Sequence, residues 1–227
     1  MNTRGLLDQL LKSGQELLQN NATGQSGKSA GNPLGGLLGG AAGGALGAGA
    51  IGLLLGSKKA RKVGGQVLTY GGLAALGVVA YKAYSNWQQQ QAGQVQAPPR
   101  TVDRLPAPEA EIHSHAILRA LVAAAKADGH IDDRERQLID GEVLKLTPDR
   151  ELQRWIDSEL HKPLDPAEVA RAAQTPEMAA EMYLASLLMV DQEHFMERAY
   201  LDELARQLDL APALKTELEQ QARQSLG

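Results

Sequence analysis

Thr175-Pro176-Glu177-Met178 opens a stretch that turns apolar from Met182 to Val190 and is closed by Asp191. Threonine is a preferred helix N-cap. Proline suits the first helical position, where its missing N–H costs nothing, and an acid in the first turn faces the positive end of the helix dipole. Asp165-Pro166-Ala167-Glu168 repeats the pattern with Asp as the cap. Outward from these two starts, apolar residues recur at helical spacing. Ile112 to Lys126 carries Ile117, Leu118, Leu121 and Val122, and Arg134 to Leu146 carries Leu138, Ile139, Val143 and Leu146. Leu152 to Leu160 contains Trp155 and Ile156, and Met196 to Leu208 and Ala213 to Leu226 continue the series. Thr147-Pro148-Asp149, Lys162-Pro163 and Ala211-Pro212 mark the breaks, and no β-branched alternating segment occurs. The prediction for residues 109–227 is an all-α bundle of about seven helices around one core.

Charge divides the 227-residue chain into two physically different parts. Residues 109–227 hold 24 acidic against 13 basic side chains, and residues 1–108 hold 3 against 10. The acidic part repels phosphates, which argues against nucleic acid as a partner. The absence of cysteine excludes disulfides, thiolate metal sites, cysteine nucleophiles, lipoprotein attachment and prenylation.

The N-terminal part reads differently. Leu6, Leu7, Leu10, Leu11, Leu17 and Leu18 form one apolar stripe, and a polar linker from Asn20 to Asn32 follows, so residues 1–33 read as an amphipathic helix and linker. The helix either packs on a partner or lies on a membrane surface. Asp8 and Lys12 interrupt the apolar run, unlike a signal peptide. Leu34 to Gly56 is 23 residues without a charge. As a helix that length spans about 35 Å at about 1.5 Å per residue, enough for a hydrocarbon core of about 30 Å. Gly35, Gly39, Gly43 and Gly47 stand four apart, a glycine zipper of the kind that lets membrane helices approach and self-associate. The basic segment Ser57 to Lys62 separates this run from a second, Val63 to Tyr81. The second run ends in Tyr81-Lys82-Ala83-Tyr84-Ser85-Asn86-Trp87, which reads as an interfacial aromatic belt. Residues 34–87 are thus predicted to form a Gly-rich transmembrane helix or hairpin of open orientation. The Gln-, Ala- and Pro-rich residues 88–108 read as a linker.

Two acidic corners supply the candidate chemistry. One is Ala127-Asp128-Gly129-His130-Ile131-Asp132-Asp133-Arg134-Glu135, the other Val190-Asp191-Gln192-Glu193-His194-Phe195-Met196-Glu197-Arg198. Helix ends and N-caps account for most of both. They do not account for Asp128 and Asp191, which follow helices where the dipole disfavours an acid. Arg134, Arg136 and Arg198 offer salt bridges; a hard divalent cation is the alternative. An EF-hand register from Asp128 fails, with Asp133 where glycine is needed and Ile139 where glutamate is needed. His113 and His115, two apart, point to different helix faces and do not form a zinc pair. His130 and His194 read as exposed turn residues.

At these residues, and through Arg198-Ala199-Tyr200-Leu201-Asp202-Glu203-Leu204-Ala205-Arg206-Gln207-Leu208, the chain resembles the tellurite-resistance TerB-like helical domain. With the Gly-rich half before it, nearly the whole chain resembles the uncharacterised inner-membrane YebE family of Gram-negative bacteria. The resemblance implies a seven-helix TerB-like fold at the bacterial inner membrane. It also implies metal ligands at Asp128 and Glu135 in one corner and Asp191 and Glu197 in the other, for Ca²⁺, Mg²⁺ or Mn²⁺. It implies no reaction. The function expected is a membrane-anchored, non-catalytic protein-interaction or cation-responsive module. Its expected partners are membrane lipid, a second copy through the Gly-rich helices, and a protein. The alternatives are a metal-dependent hydrolase using the paired carboxylates and a glycine-zipper membrane-active protein.

Overall fold

The computed structural model describes residues 2–8, 72–91, 97–128, 139, 141, 143–144, 147–190 and 194–226. Among them the regular structure is helical throughout, with no strand. The helices are α1 (Gly72–Gln90), α2 (Ala107–Ala124), α3 (Arg150–His161), α4 (Pro166–Ala170), α5 (Pro176–Met189), α6 (Phe195–Gln207) and α7 (Pro212–Leu226). Residues 3–8 add a short N-terminal helical segment. The caps fall where the residue types place them. The Asp149 carboxylate accepts the N–H groups of Glu151 and Leu152 at 3.0 and 3.2 Å, Asp165 accepts that of Ala167 at 2.9 Å, and Thr175 accepts that of Met178 at 3.1 Å. Each satisfies a donor that the first turn of a helix leaves without an internal partner.

Helix α5 is the centre of the bundle. Every residue from Met178 to Met189 is buried, and α1, α2, α6 and α7 all pack against it. A helix enclosed on all faces carries no amphipathic stripe, which is why this segment reads as a continuous apolar run. Met182, Tyr183 and Leu184 are completely buried there.

Helix α1 corrects the membrane reading. It takes up the second apolar run from Gly72 onward and lies along α5 and α7 as part of the bundle. Leu73, Leu76, Ala80 and Ala83 are buried in the shared core. The residues expected at a lipid interface face protein instead. Tyr84 and Trp87 meet edge to face with ring centroids 5.2 Å apart, and the Arg104 guanidinium lies 3.6 Å from the Tyr81 ring centre. No helix among the described residues is long and apolar enough to cross a membrane. The inner-membrane localisation expected from the sequence is corrected accordingly. The first run, 34–56, with its glycine zipper, lies outside the described residues.

The bundle also takes in the chain's start. The Asn2 side chain accepts the Gly5 N–H at 2.9 Å, and the Glu111 carboxylate of α2 accepts the N–H groups of Thr3 at 2.5 Å and Arg4 at 3.2 Å. A carboxylate on free N–H groups at the positive end of a helix is a charge-assisted anchor. Leu6 and Leu7 are buried in the core behind it. Leu10, Leu11, Leu17 and Leu18 lie outside the described residues.

The packing of α1 yields a direct comparison. Leu76 is 2% exposed and Val78, on the same helix, 54%. Leu76→Ala is expected to lower stability by about 2–5 kcal/mol in urea unfolding. Val78→Ala is expected to change it by about 0.5 kcal/mol or less. Equal effects would contradict the core placement of α1.

Candidate functional site

Of the four carboxylates implied as metal ligands, two lie among the described residues. Asp128 stands exposed in the turn that follows α2. Glu197 occupies the first turn of α6, largely buried, with its carboxylate 3.7 Å from His194 Nδ1. That position complements the helix dipole, and an imidazole is among the neighbours of Glu197. Glu135 and Asp191 lie outside the described residues, as does His130. Among the described residues no group of three or more His, Asp or Glu side chains could hold a metal ion.

The structure instead brings together a buried acid and imidazole that the sequence reading had not paired. Glu181, on α5, has no exposed surface, and His113, on α2, is 5% exposed. His113 Nδ1 lies 2.5 Å from Glu181 Oε2, and the Val102 N–H donates to Glu181 Oε1 at 2.5 Å. The pair thus ties α2 and α5 to the segment that precedes α2. That segment is itself braced, because the Thr101 hydroxyl donates to Asp103 at 2.6 Å. Gly77 lets α1 come close at this point: a Cβ there would lie 2.6 Å from Asp103 Oδ1. His115 faces elsewhere, as its spacing from His113 requires, with its ring centre 4.4 Å from that of Trp155. A legible signal did exist: Glu181 is the single charge between Met178 and Val190. A lone acid on an enclosed helix demands a buried partner.

Closed on all sides, the pair offers no room for a substrate and acts as an internal clasp. Burial holds the Glu181 carboxyl above its ordinary value of 4.5, outweighing the opposing hydrogen bonds from His113 and Val102. A raised acid favours the folded state while protonated. This contribution is complete below about pH 4.5 and is lost as pH rises through the raised value.

A second polar cluster is also structural. Lys126, in the turn after α2, donates to the main-chain carbonyls of Glu159 and Lys162 at 2.7 and 2.9 Å, capping the C-terminal end of α3. Its ammonium is held below the ordinary lysine range, first by burial. Glu159 accepts from Lys162 at 2.6 Å and from Arg119 at 3.3 Å. The space enclosed by this cluster is about 10 Å³, room for no more than a water molecule.

A larger concavity lies at the start of α5. A cleft of about 400 Å³ opens between α1, the turn joining α4 to α5, and the turn joining α6 to α7. Tyr84 and Trp87 come from α1, Ala170, Ala173 and Ala179 from the α4–α5 region, and Leu208, Leu210 and Leu214 from the α6–α7 turn. Gln174, Thr175 and Asp209 form exposed parts of its rim. Desolvation, and then the negative charge of Glu177, push the Tyr84 phenol above its ordinary range, so it remains a neutral donor.

Asp209 sits in an unusual backbone position. The α6–α7 turn is a Schellman turn: the Leu210 N–H donates to the Ala205 carbonyl at 3.1 Å and the Asp209 N–H to that of Arg206 at 3.2 Å. The residue at its centre must be left-handed, and Asp209 has φ of 52°. Glycine is the usual occupant. A side chain in this conformation costs about 1 kcal/mol, and an acid at the negative end of a helix costs about 0.3–1 kcal/mol more. The carboxylate therefore stands at the rim of the cleft against both local preferences.

The clasp makes a testable statement. Glu181→Ala strands the His113 ring and the Val102 N–H and is expected to cost about 3–5 kcal/mol in urea unfolding. Glu181→Gln keeps an acceptor for Val102. It should cost less and flatten the decline of stability above pH 4.5 that is expected of the wild type. An unchanged pH slope in Glu181→Gln would remove Glu181 as its source.

Comparison with known proteins bears on the whole chain. No solved structure matches it. An uncharacterised protein in the ampR 5′ region of Yersinia enterocolitica is 35% identical over 108 residues, covering 48% of this chain and 78% of that protein. Residues 38–222 match the family described as a protein of unknown function, DUF533. The chain therefore belongs to the DUF533 family.

Proposed function

We propose that the helical bundle is a non-catalytic binding module whose site is the cleft between α1, α5 and the α6–α7 turn. The observation that carries this reading is the cleft itself, about 400 Å³ with two aromatic rings among its lining residues. That volume lies within the range of about 300–1,000 Å³ occupied by small-molecule sites, which are mostly apolar with a few placed polar groups. Among the described lining residues the titratable groups are Tyr84 and Asp209, which do not include a base beside a nucleophile. Such a set supports recognition over acyl or phosphoryl transfer. The buried His113–Glu181 pair is sealed from the cleft's solvent and holds the walls in place. Reading the bundle as TerB-like rests on the sequence resemblance at the two acidic corners.

The chain has two tryptophans, and Trp87 lines the cleft while Trp155 does not. In the full chain labelled with 5-fluorotryptophan, toluene is expected to shift the Trp87 fluorine resonance saturably and to leave that of Trp155 in place. Ala173→Leu, which fills the cleft, should weaken toluene binding about tenfold, as loss of one well-fitted apolar space does. A Trp87 resonance indifferent to toluene, or affinity unchanged by Ala173→Leu, counts against the site.

A further inference from the structure

We infer that the ligand of this cleft is a small organic cation, an amine on an apolar stem, with its charge at Asp209 and its stem against Trp87. The inference rests on the cleft being a binding site and names the chemistry that site selects. Three independent features converge on it. The first is the placement of Asp209. A left-handed residue that ends a helix is most cheaply glycine, or asparagine where a side chain is wanted. An aspartate there sets a negative charge against the helix dipole, and a cation in the cleft would reverse the sign of that interaction. The second is the aromatic lining. Trp87 and Tyr84 meet edge to face at 5.2 Å and both line the cleft, so their rings offer an alkyl stem an apolar wall in the same cleft as the carboxylate.

The third is the charge around the cleft. The basic side chains of α6 and α7 near it are already held. Arg206 forms a close ion pair with Glu203, and Lys215 pairs with Asp202 at 2.8 Å and Glu219 at 3.5 Å. Arg171, at the end of α4, is exposed and does not line the cleft. No basic side chain among the described residues pairs with Asp209, and Glu177 adds negative charge beside Tyr84. An anionic ligand would meet Asp209 with no basic side chain among the described lining residues to balance it. A neutral one would leave the carboxylate unused. An ammonium of either source, a free amine or a lysine side chain, satisfies carboxylate and rings together.

The test uses the fluorotryptophan-labelled full chain and four probes of one stem length: n-hexylammonium, hexyltrimethylammonium, 1-hexanol and hexanoate. Each is titrated while the Trp87 and Trp155 resonances are followed. The ammonium probes are expected to bind at least about tenfold more tightly than hexanol, the scale of one charge-assisted contact. Hexanoate should bind most weakly. Asp209→Asn keeps a residue suited to the left-handed backbone. It should bring the ammonium-to-hexanol ratio close to one. N-acetyl-lysine methylamide separates the sources: binding with the same dependence on Asp209 places the cation on a polypeptide, and its exclusion leaves a free amine. Hexanol or hexanoate binding as tightly as hexylammonium would overturn the cation assignment while leaving the cleft as a site. Silence of the Trp87 resonance with all four probes would overturn the cleft reading beneath it.

Discussion

The bundle depends on keeping one carboxyl group satisfied inside a helix that has no face to solvent. Helix α5 is buried from Met178 to Met189, and Glu181 goes in with it. An unpaired carboxyl there would cost several kcal/mol, a large share of a domain's ordinary stability of about 5–15 kcal/mol. His113 and the Val102 N–H meet both of its oxygens. The solution has architectural consequences. It fixes α2 against α5 at one register, and it pulls the chain just before α2 inward, so that Asp103 and Arg104 come to rest against Gly77 and Tyr81 of α1. One side chain of α5 thus holds both α2 and the segment that leads into it.

The cleft follows from the same arrangement. With α1 held along α5 and α7, its aromatic end, Tyr84 and Trp87, is brought opposite the α6–α7 turn. Small residues at Ala170, Ala173 and Ala179 leave the space between them open. A rigid scaffold thus presents two rings and one carboxylate at a concave surface, with Thr175 at the rim also serving as the cap of α5. Of the second acidic corner, the described acid stands at the start of α6. Glu197 complements the start of α6 and neighbours His194, a role that helix electrostatics explain.

Local signals were the legible ones. Asp149, Asp165 and Thr175 cap helices because an oxygen on a short side chain reaches the free N–H groups of the next turn, and that chemistry is complete within four residues. Prolines 166, 176 and 212 stand at or next to the first helical position for the same local reason. Residues 72–81 were misread for a physical reason as well. A helix rich in Leu, Ala, Gly and Val reports an apolar surrounding on most sides, and hydrocarbon and a protein core provide that surrounding equally. The aromatic end of α1 carried the same ambiguity, since Tyr and Trp suit any boundary with one apolar and one wet side.

The site was harder to read than the fold. Glu181 was conspicuous as a lone acid in an apolar run, yet its partner His113 lies 68 residues away in sequence. Tyr84, Thr175 and Asp209 come from three separate segments and share no spacing that marks them as neighbours. By itself, the amino-acid sequence determined that the chain is helical, where most of its helices begin, and that its C-terminal part is acidic, because caps, periodicity and charge are properties of contiguous residues. Only the tertiary structure decided that α1 belongs to the protein core, which acid meets which imidazole, and where a cleft remains. Those outcomes depend on how closely helices from distant parts of the chain can pack, and no local stretch of sequence contains that distance.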